Sequence, residues 1–149
     1  MKRKIIIDTD PGQDDAVALL MALASPEDFD ILGIVAVAGN IGLAQNAKNA
    51  LKIVELSGRT DIKVYAGCER PLRRHLVTAE HVHGDSGLDG PVLPAPTQRL
   101  EAQFGVDFII DTLMARTRRD HAGDAGAAHE YCHGARQAAA HRRAGEGNR

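Results

Sequence analysis

The chain has 149 residues with 18 basic and 20 acidic side chains, a formal net charge of −2, 44% apolar residues and 26% charged ones. That length and balance suit one soluble globular domain with a sizeable core, and the near-neutral charge excludes the basic footprint of a nucleic-acid or membrane-surface binder. Cys68 and Cys132 form neither a disulfide framework nor a zinc spacing.

Lys4–Ile7 is a short β-branched run, read as a buried strand. It stops at Asp8, too short for the ~7–15 apolar residues of a signal peptide. Asp14 and Asp15 suit the first turn of a helix whose apolar positions run through Leu19, Leu20 and Leu23, with Pro26 past its end. Ile31–Ala38 reads as a second buried strand closed by Gly39-Asn40, and it is far below the ~18 residues a membrane span needs. Leu43–Leu56 has helical spacing, with Ala47, Ala50, Leu51 and Val54 on one face. Ile62–Tyr65 is a third strand. A segment rich in Gly, Pro and His follows from Cys68 to Pro96, and a loop that long is usually functional or mobile. Phe104–Met114 is a further helix. Strands alternating with helices predict an α/β fold, an open, mostly parallel sheet with flanking helices. Ligands of such sheets bind outside the carboxyl ends of the strands, where both the aspartate-rich turn and Gly39-Asn40 fall. A cytoplasmic protein is expected.

The chain changes character near its end. Thr117–Arg149 has no Val, Ile, Leu, Met or Phe and holds four of the seven histidines. Such a composition cannot offset its ordering entropy by apolar burial. The expected organisation is therefore a domain part over 1–116 and a low-complexity, disordered tail over 117–149. The genetic code supplies a reason. Moved one base forward from Asp120, the codons can read Ile-Thr-Leu-Val-Thr-Leu-Gly-Pro-Leu-Thr-Asn-Ile-Ala-Thr-Ala-Leu. That is a strand, a glycine turn and a helix start, the pattern missing after Met114. A frameshift between Met114 and Asp120 is the favoured reading, with a genuine basic tail as its alternative. His121, His129, His133 and His141 are incidental on either view.

The most informative segment is Asp8-Thr9-Asp10-Pro11-Gly12-Gln13-Asp14-Asp15-Ala16. Four carboxylates within eight residues repel one another, and crowding them at a strand end is costly unless a cation binds. All are hard oxygen donors without interleaved Cys or His, which favours Ca²⁺ or Mg²⁺ over zinc. A solvated acidic turn that caps a helix is the plain alternative. His81 and His83 could form a zinc pair, but surface or substrate-loop roles fit better, and Cys68 reads as a small buried hydrophobe.

This nonapeptide resembles the N-terminal signature of the inosine–uridine-preferring nucleoside hydrolases. Three more segments match in order: Val37-Ala38-Gly39-Asn40, Ala66-Gly67-Cys68 with Pro71-Leu72, and His81-Val82-His83-Gly84-Asp85-Ser86-Gly87-Leu88. The shifted-frame Gly-Pro-Leu-Thr-Asn-Ile-Ala is similar to the family's next motif. The resemblance covers residues 3 to about 115 and implies an N-ribohydrolase acting on ribonucleosides with a held Ca²⁺, and a homo-oligomer. Position by position, it implies that Asp10 and Asp15 bind the metal and that Asp14 is the general base acting on a Ca²⁺-bound water. It further implies that Asp8 supports the cluster, that Asn40 orders the metal site and ribose, and that His83 lies near the base. Family members are roughly twice this length. The middle motif is present only in another frame, and the family's C-terminal His-Asp pair is missing. Two other functions stay open. One is an inactive truncated fragment with weak cation binding. The other is a haloacid-dehalogenase-like phosphotransferase with Asp8 as nucleophile and Asp10 as acid/base, a class that Pro11-Gly12 and the second aspartate pair fit poorly.

Overall fold

A computed structural model describes residues 2–90 and 92–117. The chain forms two compact units, residues 1–102 and 103–149. The tail expected over 117–149 lies, beyond its first residue, outside the described residues, and so do its four histidines.

In the first unit, β1 (Arg3–Thr9), β2 (Phe29–Ala36) and β3 (Val64–Ala66) form a parallel sheet in the order β1-β2-β3, with α1 (Gln13–Leu23) and α2 (Leu43–Leu56) as the connections. This is the α/β architecture expected, with helices joining parallel neighbours because a hairpin turn cannot. The core gathers Leu19 and Leu23 of α1, Ile31, Ile34 and Ala36 of β2, and Ala47, Ala50, Leu51, Ile53 and Val54 of α2. Ile5 and Ile7 of β1 pack against it, as the two-residue strand period requires.

The register positions the site. Thr9 pairs with Ala36, and Ala36 with Ala66, so all three strands end level. Backbone bonds then carry the contact past the strand ends: Val37 N–H donates to Thr9 O, Gly67 N–H to Ala36 O, and Ala38 N–H to Cys68 O. The paired register of β2 closes at Ala36, two residues short of the Ala38 that its apolar run suggested. Val37 bonds to Thr9, the last residue of β1, and Ala38 to Cys68 in the loop after β3. A bulge between Ile5 and Ile6 leaves Leu32 unpaired on β2.

The segment after β3 holds one short helix, α3 (Glu80–His83). In the second unit, α4 spans Gly105–Thr117, and Gln103 Nε2 donates to Asp111 at 2.8 Å. No described helix is long and apolar enough to cross a membrane.

Candidate active site

The junction of β1 and α1 carries Asp8 near the end of the strand, Asp10 in the turn, and Asp14 and Asp15 in the first turn of the helix, as the strand–carboxylate–helix pattern predicted. Asp15 faces backwards in the first turn of α1. Its Oδ2 accepts from Gly12 N–H at 3.4 Å, which satisfies a donor left free at the helix start, and its Oδ1 accepts from buried Thr9 Oγ1 at 3.0 Å. Asp10 is fastened to the loop after β2. Its Oδ2 accepts from Asn40 N–H at 2.7 Å, and its backbone carbonyl accepts from Asn40 Nδ2 at 2.8 Å. The approach is so close that a Cβ at Gly39 would lie 2.0 Å from Asp10 Oδ2. Asp14 is exposed, and no described residue hydrogen-bonds its carboxylate.

The two ion pairs among the described residues are Arg59–Asp61 and Lys63–Glu101, both away from this turn. The cluster thus has no cationic side chain paired with it there. Surrounding protein, and then the charge of Asp10, push the Asp8 carboxyl above its ordinary value. Asp8 also keeps a solvent-exposed side, which screens the effect.

His83 joins this group from 70 residues away. A Cβ at Gly12 would come within 2.7 Å of its ring and within 3.0 Å of Asn40 Nδ2, so His83, Gly12 and Asn40 border one point. The geometry brings together Asp10, Asp15, Asn40 and His83, with Asp14 at the open edge and Asp8 at the strand end. His81 is exposed on α3.

Three residues escaped the sequence reading. Gln13 contacts His83 and the carbonyls of His83 and Asp89. Asn46 and Asn49, wholly buried on α2, hold the two loops that border the turn. Asn46 Nδ2 donates to Val37 O at 2.8 Å and Ile41 O at 3.1 Å, flanking Asn40. Asn49 Nδ2 donates to Ser86 O at 2.8 Å. Two asparagines three apart on an otherwise apolar helix face were the available signal, because buried amides imply bonded partners. Gln13 offered none, since its partners, the His83 ring and the carbonyls of His83 and Asp89, lie far along the chain.

A metal fits the donor chemistry in part. Asp10 and Asp15 supply hard oxygens, and Asp10 Oδ1 accepts no hydrogen bond from the described residues. No group of three or more His, Cys, Asp or Glu side chains among the described residues is placed to hold an ion. Among the described residues the two aspartates do not by themselves make a complete ligand set.

The chain is similar to known proteins over about three quarters of its length. The chain is 48% identical over 117 residues to the pyrimidine-specific ribonucleoside hydrolase RihA of Photobacterium profundum, covering 78% of this chain and 37% of that protein. It is 56% identical over 110 residues to an uncharacterised protein of Schizosaccharomyces pombe, covering 74% of this chain and 35% of the other. A plant nucleoside hydrolase structure superposes with a TM-score of 0.71 at 35% identity, over 77% of this chain and 36% of that one. The chain therefore spans about a third of the length of the relatives it matches. The family model for inosine-uridine preferring nucleoside hydrolases runs from residue 5, inside β1, to residue 124, past α4. With that continuous match through the aspartate turn, the Asn40 loop and the His83 segment, the chain belongs to the inosine-uridine preferring nucleoside hydrolase family.

Proposed function

We propose that this chain is the N-terminal part of a cytoplasmic, homo-oligomeric N-ribohydrolase that cleaves a ribonucleoside into ribose and free base. The observation that carries this reading is the double hydrogen bond of Asp10 to Asn40 beside an unpaired Asp14, inside a family match. The match also displaces the phosphotransferase alternative.

Asp10 and Asp15 are the proposed ligands of a divalent cation; their hard oxygen donors favour Ca²⁺ or Mg²⁺ over zinc, and Ca²⁺ is the ion that the family resemblance implies. When bound, that cation would lower the pKa of the attacking water and orient it. Asp14 is the proposed general base, because its carboxylate is exposed and unengaged while those of Asp10 and Asp15 are held. Asn40, fixed by Asp10, presents a polar group to the ribose, and His83 flanks the base. Bond cleavage develops positive charge at the anomeric carbon, as in glycoside hydrolysis generally, and the surrounding carboxylates stabilise it. Asp8, at the strand end, maintains the negative field of the cluster without touching substrate. RihA is named for pyrimidine ribonucleosides, so uridine and inosine are both test substrates.

The test is reducing-sugar release in a protein carrying the whole family domain. Asp14→Asn should lower turnover by ~10²–10⁴-fold, the usual loss of a general base, while Ca²⁺ stays bound. Asp10→Ala and Asp15→Ala should lose both. Normal metal content in either alanine variant, or unchanged turnover in Asp14→Asn, would overturn these roles.

A further inference from the structure

Gln13 stands at the start of α1 and reaches the far loop with both ends of its amide. Its Nε2 donates to the carbonyls of His83 at 3.3 Å and Asp89 at 3.4 Å. Carbonyl oxygens only accept, so the NH₂ end must face them and Oε1 is turned away. There Oε1 meets Nδ1 of His83. An amide oxygen also only accepts, so this contact is a hydrogen bond only with the proton on Nδ1. Neutral imidazole carries one N–H, and the bond made by one nitrogen sets the state of the other. Nε2 is then the bare, accepting nitrogen, and no described residue hydrogen-bonds it.

The ring is fixed from a second side. A Cβ at Gly12 would stand 2.7 Å from both Cε1 and Nδ1, so the backbone of the aspartate turn lies directly against this edge. The loop itself is tied down apart from Gln13, through Asn49 to Ser86 O at 2.8 Å and Ser86 Oγ to Asp89 at 2.7 Å. The ring orientation therefore does not depend on Gln13 alone, whereas the placement of the proton does.

We infer that Gln13 is a positioning residue that sets the tautomer of His83, holding the proton on Nδ1 and presenting Nε2 as an acceptor. A ligand meeting His83 then offers it an N–H or O–H donor, such as a ring N–H of a nucleobase. Only the identity of that ligand rests on the proposed function. The tautomer does not.

The experiment is ¹⁵N NMR of the imidazole nitrogens in the 149-residue chain without nucleoside, at a pH above imidazole titration. The expected spectrum has a protonated, pyrrole-type shift on Nδ1 of His83 and a pyridine-type shift on Nε2. Gln13→Leu should move both shifts toward averaged values, with circular dichroism unchanged. Gln13→Glu keeps an acceptor facing Nδ1 and should retain the native pattern although it loses both carbonyl bonds, which separates control of the proton from anchoring of the loop. A pyridine-type Nδ1 in the unmodified protein, or an unaltered spectrum in Gln13→Leu, would overturn the inference. Absence of nucleoside cleavage would remove the functional reading and leave this measurement standing.

Discussion

At Gly39 a single methyl group decides whether Asp10 can sit where it does. The 2.0 Å gap to Asp10 Oδ2 cannot be closed by rotating a long side chain away, because that carboxylate is held by Asn40 N–H. Gly39→Ala should displace Asp10, cost about 1–3 kcal/mol of stability as overpacking does, and weaken Ca²⁺ binding. Gly42→Ala is the control, since a Cβ there meets nothing within 4 Å. Thermal unfolding and a calcium titration of both variants make the comparison. Equal affinity in the two would show that the Asp10–Asn40 contact does not shape the cation site.

At the scale of elements, α2 does more than cover the sheet. Near its carboxyl end, Glu55 Oε1 accepts from Thr97 N–H at 2.6 Å, from Thr97 Oγ1 at 2.9 Å and from Gln98 N–H. These bonds, the Gln98 N–H first, hold the Glu55 carboxyl below its ordinary range. A depressed folded value means the contact is present above the unfolded value and is lost as pH falls through the folded one. The amide shifts of Thr97 and Gln98 should therefore titrate with a midpoint below the ordinary glutamate value, and Glu55→Gln should abolish that titration. A midpoint at or above the ordinary value would contradict the bonding. The same helix shows what the sequence could reveal. Its bounds, Leu43–Leu56, are those its apolar spacing predicts, because one buried face is a local pattern. The apolar run overshoots the end of β2 by two residues, because where pairing stops is set by the neighbouring strand ends at Thr9 and Ala66 and not by local hydrophobicity. α3 is four residues long, too short to impose a period. Asp10, Asp15, Asn40 and His83 were legible as a set only through their motifs. Asn46 and Asn49 were signalled by their place on the apolar face of α2, but their partners, the contacts among the site residues and the reach of Gln13 to His83 depend on groups far apart in the chain.

At the scale of the whole molecule, the residues that the proposed function uses fall in one unit. The level strand ends, the aspartate turn, the Asn40 loop and the His83 segment all lie within residues 1–102. The composition of residues 117–149 and the shifted codons predict a one-base insertion or deletion between Met114 and Asp120. Resequencing that stretch of the gene from independent preparations tests it. A reproducible frame that encodes residues 117–149 as written would refute the prediction and make the Ala- and Arg-rich segment a true feature of the protein.

The bulge at Leu32 acts as a length adjuster. Below it Ile5 pairs with Ile31, above it Ile6 pairs with Gly33, so the two strands slip by one residue midway and still finish together at Thr9 and Ala36. One residue of strand is ~3.3 Å, more than the whole Asp10–Asn40 hydrogen bond. Gain or loss of a residue before Ile31 can be absorbed where the pairing is already irregular. The same change between Gly33 and Ala36 has nowhere to go and would carry Asn40 out of reach of Asp10. Tolerance to insertion and deletion along β2 should thus switch from permissive to forbidding across a single unpaired leucine.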